Sequence, residues 1–117
     1  VNWKDQEMAS DKIIVLTDDN FAEKIKTETI PIVIDFWATW CGPCKAVAPA
    51  IDQLAEEMDG QVKFAKVNIE ESPSVAGEYG IMSVPTFVIL KNGEKIGAIT
   101  GALAKSKLKA KIEEMLA

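Results

Sequence analysis

The sequence predicts an α/β fold, a central mixed five-stranded sheet flanked by four helices. Three observations carry this. Short apolar runs of strand length alternate with longer segments of helical periodicity. The run Ile32–Trp37 (IVIDFW) is apolar at every position but Asp35, the pattern of a strand covered on both faces. Near the end, two strand-like runs are joined by Asn92–Gly93, a strong signal for a tight hairpin. The alternation gives parallel strands with helices on both faces, and the hairpin adds an antiparallel edge.

Lys12–Leu16 (KIIVL) predicts the first strand. Thr17 is placed to cap the next helix. Asp18 and Asp19 would sit in its first turn, where the macrodipole favours anions, and Phe21, Ala22 and Ile25 would form its apolar stripe. Ile32–Trp37 is the second strand. Residues 41–58 predict a long helix, because Val47, Ala50, Ile51, Leu54, Ala55 and Met58 recur at helical spacing. Pro49 inside it should kink it, since proline lacks the N–H and clashes with the preceding turn. Val62–Asn68 is the third strand. Ser72 reads as an N-cap before Pro73, opening a short helix to Tyr79 that Gly80 stops. Thr86–Lys91 and Lys95–Thr100 are the hairpin strands. Residues 104–116 close the chain as a helix with Leu103, Leu108, Ile112, Met115 and Leu116 on its apolar side. Its early Lys105, Lys107 and Lys109 and late Glu113 and Glu114 oppose the macrodipole. Residues 10–117 thus read as one domain. Residues 1–9 lie outside the pattern and read as a polar extension or tag remnant, with Met8-Ala9-Ser10 a candidate natural start.

The 117 residues, 48% of them hydrophobic, suffice for a single packed core. The net charge is −5 and no Lys/Arg run exceeds two residues, so the cationic face that nucleic acid requires is not expected. No apolar run approaches the roughly 18 residues of a membrane span. The start of the sequence has no apolar signal-peptide region, and a cytoplasmic setting is the expectation. No Gly-rich nucleotide fingerprint occurs, so the chain is not expected to bind a nicotinamide cofactor itself. No bound cofactor is expected. The absence of histidine excludes a Cys–His nucleophile pair and any His metal ligand.

Chemistry concentrates in the only two cysteines, Cys41 and Cys44, between a buried strand and a helix. Residues three apart at a helix start share a face, so the sulfurs can meet. Cys41 lies at the helix N-terminus, where unpaired N–H groups and the dipole stabilise a thiolate and favour nucleophilic attack at neutral pH. Cys44, one turn inside, is expected to be the more shielded. The implied sequence is attack by Cys41 on a substrate disulfide, a mixed disulfide, then resolution by Cys44. Gly42 lets a partner backbone approach, and Pro43 sits where its missing N–H costs little. A zinc half-site is the first alternative, but no second Cys pair and no histidine exist to complete it. A passive structural disulfide is the second, but it would close a loop too short to restrict the unfolded chain much.

The segment Asp35–Lys45 (DFWATWCGPCK) resembles the active-site signature of the thioredoxin family. The resemblance runs from about Ser10 to Ala117, with every element in family order, and implies a thioredoxin fold. Trp37, Cys41, Gly42, Pro43, Cys44 and Lys45 match residue by residue. Asp35 matches the family's buried aspartate, Pro49 its helix-kinking proline, and Lys66 its lysine near that aspartate. Val84-Pro85-Thr86 matches the loop whose proline is cis and faces the cysteines, and Gly93 and Gly101 match two further glycines. The resemblance implies a monomeric protein-disulfide reductase with disulfide-containing protein substrates, recharged by a separate thioredoxin reductase. Its Gly-Pro dipeptide resembles the reducing members, whereas related oxidases and isomerases usually carry a histidine there. An oxidase or isomerase of the same fold, and a binding subunit with an incidental dithiol, are the rival readings.

Asp35 is either a solvent-facing residue of an edge strand or a buried carboxyl of raised pKa that relays a proton to or from Cys44. Lys66 is either a surface lysine or, by the resemblance, the partner of Asp35. From sequence alone Pro85 would be trans; only the resemblance argues for cis. With a cis Pro85, the backbone of Val84 can pair with an extended substrate segment. Trp40, directly before Cys41, is expected on an exposed rim, and Trp37 beneath the site. Met82 and Ser83 stand where many thioredoxins carry a basic residue and a glycine, and Thr100 stands where an apolar residue usually precedes Gly101. All three fall on the presumed docking surface.

Overall fold

The computed structural model describes residues 10–117, so the expectations for residues 1–9 lie outside the described residues. Nine elements follow one another: β1 (Ile13–Leu16), α1 (Phe21–Thr27), β2 (Ile32–Trp37), α2 (Gly42–Glu57), β3 (Lys63–Asn68), α3 (Pro73–Glu78), β4 (Thr86–Lys91), β5 (Glu94–Thr100) and α4 (Lys105–Leu116). The expected order holds, with boundaries moved by one residue at most strands.

The sheet order is β1-β3-β2-β4-β5. The first three strands run parallel, and β4 lies antiparallel to both β2 and β5. Asn92 (φ 54°) and Gly93 (φ 80°) both take the left-handed conformation that a two-residue hairpin turn needs. β2 is the central strand, and strand alternation splits its side chains between two cores. Val33 joins a cluster with Val47, Ile51 and Leu54 of α2 and Leu108 and Ile112 of α4. Ile32, Ile34 and Phe36 join Phe21 of α1 and Val75 of α3 on the opposite face. Asp35 alternates with Ile34 and Phe36, so it shares the α2 face with Val33.

Four local expectations are corrected. The first helix starts at Phe21, not after Thr17: residues 18–20 form a turn, closed by Thr17 N–H donating to Asn20 Oδ1 (2.8 Å) and Asn20 N–H donating to Thr17 Oγ1 (3.3 Å). Ala22 consequently faces solvent, leaving Phe21 and Ile25 to pack. Asp18 serves another helix, accepting from Ser74 N–H (3.2 Å) and Val75 N–H (2.9 Å) at the start of α3. Ser72, the expected cap of α3, makes no side-chain capping bond. The early lysines of α4 have a structural role: Lys105 and Lys109 both pair with Glu57 at the end of α2. Helix α2 is continuous through Pro49. Among the described residues, no helix is long and apolar enough to cross a membrane.

Candidate active site

β2 ends at Trp37, and five residues later α2 begins, so the intervening loop delivers Trp40 and Cys41 to the end of the central strand. Ligand sites of open α/β sheets sit at such strand ends. Cys41 is the N-cap of α2, in extended backbone conformation (φ −90°, ψ 105°). Its sulfur takes the place of a capping oxygen: Cys44 N–H donates to Cys41 Sγ at 3.1 Å. No acidic residue occupies the first turn of α2, so nothing competes for the positive end of its dipole. Cys41 and Cys44 are joined by a disulfide, their Cα atoms 5.3 Å apart.

The expectation that Cys44 is the more shielded does not hold in this disulfide state, where Cys41 is 3% and Cys44 4% exposed. The helix turn tucks both sulfurs against Ala38, with Trp37, Ile69 and Val84 packed around them. Trp40 projects outward at 67% exposed, while Trp37 lies half-buried beneath the site. Gly42 and Pro43 are exposed.

The Val84–Pro85 peptide bond is cis, and the Val84 carbonyl oxygen lies 3.7 Å from Cys41 Sγ. Gly101 N–H donates to Pro85 O at 2.9 Å, tying the end of β5 to this loop. Gly101 adopts φ 99°, a conformation that a side chain would strain.

Asp35 is buried, and its Oδ1 has no hydrogen-bond partner. It stands in register with Lys66 on β3, which is an interior strand of the sheet, not an edge. Burial pushes the Asp35 carboxyl up to about 7, and the Lys66 charge pulls it partway back. A cavity of about 340 Å³ between the β1–β3–β2 side of the sheet and the start of α2 is lined by Asp35, Lys66 and Cys44 together. The Asp35 carboxyl and the Lys66 amine give water in this space polar partners, and such water can carry a proton between carboxyl and thiol.

Two site residues have no sequence signal that would have found them. Glu70 Oε1 accepts from both Thr39 N–H (3.1 Å) and Thr39 Oγ–H (2.7 Å), fixing the loop just before Trp40 and Cys41. The partners are 31 residues apart, and only the sheet brings the two strand ends together.

A dithiol closed at a helix N-terminus, a cis-proline loop against its sulfur and a buried carboxyl behind it define a thiol–disulfide oxidoreductase of the α/β class. The family model described as Thioredoxin matches residues 12–114. Thioredoxin 1 from a Nostoc species is 43% identical over 101 residues, covering 86% of this chain and 94% of that relative. A thioredoxin of Chlorobaculum thiosulfatiphilum is 43% identical over 103 residues, covering 88% of this chain and 95% of the relative. Thioredoxin M-type, chloroplastic, of Pisum sativum is 42% identical over 108 residues, covering 92% of this chain and 63% of that protein. The chain belongs to the thioredoxin family. It is a thiol–disulfide redox carrier with a CxxC centre.

Proposed function

We propose that Cys41 is the attacking nucleophile and Cys44 the resolving thiol in the reduction of protein disulfides. The Cys41 thiolate attacks one sulfur of the substrate disulfide; the S–S bond breaks, and the departing thiolate takes up a proton. Asp35, as carboxylate, accepts the Cys44 proton through the shared cavity, with Lys66 holding enough of it ionised near neutral pH. The Cys44 thiolate then attacks Cys41 Sγ and releases the second substrate thiol. Two electrons pass to the substrate, and the Cys41–Cys44 disulfide remains. A separate thioredoxin reductase returns those electrons.

The docking surface comprises Trp40, Gly42, Pro43, Val84, Pro85 and Gly101. The Val84 backbone pairs with an extended segment of the substrate, and Gly42 and Gly101 leave its path open. The protein works as a monomer, within residues 10–117, in a reducing compartment such as the cytoplasm.

The observation that carries this reading is the Cys44 N–H on Cys41 Sγ at the start of α2, which supplies a donor to a thiolate at that position. Turbidimetric insulin reduction with NADPH and a thioredoxin reductase is the test. Wild type should turn over many equivalents and Cys41→Ser none. An inactive wild type, also inactive with dithiothreitol as donor, would overturn it.

A further inference from the structure

Four large apolar side chains among the described residues are exposed: Val15, Trp40, Met82 and Ile96. Val15 and Ile96 belong to the two edge strands, β1 and β5. Trp40 and Met82 instead flank the reacting centre, Trp40 directly before Cys41 and Met82 two residues before Val84, whose carbonyl lies against Cys41 Sγ. Isolated exposed apolar residues are ordinary, but an exposed thioether on the loop whose Val84 carbonyl meets Cys41 Sγ lies close in the chain to where a partner must approach the dithiol. The methionines among the described residues also divide sharply. Met82 is 97% exposed, Met58 is 1% exposed, and Met115 packs against the core.

We propose that Met82 is an oxidation site through which peroxides weaken the docking of protein disulfides at this dithiol. The inference rests on the oxidoreductase reading above. The thioether sulfur attacks a peroxide oxygen; the S–O bond forms, the O–O bond breaks, and water (or an alcohol) departs with the transferred proton. Methionine loses two electrons and the peroxide gains them. A flexible apolar side chain becomes a polar sulfoxide, so a protein partner loses an apolar contact beside the disulfide it presents. The sulfurs of Cys41 and Cys44 are unchanged, and a small disulfide that reaches Cys41 without leaning on Met82 is reduced as before.

The experiment treats the disulfide form with hydrogen peroxide, which leaves the already paired cysteines protected. Peroxide is then removed, the dithiol restored with dithiothreitol, and kcat/KM measured with insulin and with a small aromatic disulfide. Peptide mapping should find sulfoxide at Met82 before Met58 and Met115. Full conversion should lower kcat/KM for insulin about fivefold and leave the small disulfide unchanged. Met82→Leu should lose nothing on treatment relative to its own untreated rate, which separates Met82 from Met8. Oxidation of Met58 or Met115 first, an unchanged insulin rate, or equal loss in Met82→Leu would each overturn the proposal. An untreated protein that reduces neither disulfide would overturn the oxidoreductase reading beneath it.

Discussion

Glu70 holds Thr39 twice through one oxygen, from the backbone N–H at 3.1 Å and the hydroxyl at 2.7 Å. Beside it, Ile69 N–H donates to Trp37 O at 2.9 Å, so Ile69 and Glu70, just past β3, stitch that strand end to Trp37 and Thr39 ahead of the redox turn. The turn then closes on itself through Cys41 N–H to Ala38 O at 3.2 Å.

Glu70→Ala should therefore loosen the approach to Cys41 more than it loosens the fold. Both bonds are exposed, and their loss should cost no more than about 1 kcal/mol of stability. Insulin reduction should fall several-fold, mainly in kcat, because the nucleophile's placement and not its partner's affinity is disturbed. Glu70→Gln keeps an acceptor and should retain most of the rate. Equal kinetics for wild type and Glu70→Ala would show that the loop is held without this clamp.

Cys44→Ser should accumulate mixed disulfides with target proteins, because Cys41 still attacks and nothing resolves the bond. Cys41→Ser should trap none. Non-reducing gels of lysate passed over each variant give the comparison. Both cysteines are buried in the disulfide state, and at the helix start it is the Cys41 thiolate that the unpaired N–H groups stabilise once the pair is reduced. Equal trapping would reverse or dissolve the assigned roles.

The contrast between Cys41 and Glu70 shows where sequence reading ends. Strand patterning, the Asn92–Gly93 turn and the periodicity of α2 are local signals, and each placed its element within a residue or so. The dithiol was legible for the same reason: two cysteines, three apart, after a buried strand. Asp35 stood out as one charge within an apolar run, although its partnership with Lys66 needed the resemblance, because parallel pairing leaves no local trace. Thr39–Glu70 and Asp18 at α3 were not legible at all. Each joins residues dozens of positions apart that only the assembled sheet brings together. The misplaced start of α1 has a different cause: Thr17 Oγ1 accepts from the Asn20 N–H, and Asn20 Oδ1 from the Thr17 N–H, so the two residues close a turn ahead of the helix.

Asp18→Ala should test the corrected cap. Its carboxylate accepts two N–H groups at the start of α3, and substituting such a cap costs about 1 kcal/mol. Denaturant unfolding should show a lower midpoint with an unchanged slope, and insulin reduction by the folded variant should stay near wild type. A Ser72→Ala variant should move stability less, since Ser72 makes no capping bond. The reverse ranking would restore Ser72 as the cap.

Asp35→Ala should make the protein more stable at high pH and slower as a reductase. The carboxyl is buried with Oδ1 unpartnered, and burial raises it from 3.8 to about 7 against the pull of Lys66. Below about pH 3.8 both folded and unfolded chains hold the proton, and there is no penalty. Between there and about pH 7 the unfolded chain releases its proton more readily, so folding loses stability as pH rises. Above about pH 7 the loss is complete, roughly 4 kcal/mol if the whole rise is counted. The truncated side chain leaves a small cavity, which costs about 1 kcal/mol at every pH. Urea unfolding at about pH 4 should therefore find Asp35→Ala slightly less stable than wild type, and at about pH 8.5 clearly more stable. Disulfide reduction should slow, because Cys44 would lose the group proposed to take its proton across the cavity. Lys66→Met should act in the opposite direction on the same carboxyl, moving the acid limb of the pH–rate profile to higher pH. A variant without Asp35 that is less stable at both pH values would mean the carboxyl carries no buried charge penalty. A profile indifferent to Lys66 would mean the carboxyl does not titrate in the step that Cys44 performs.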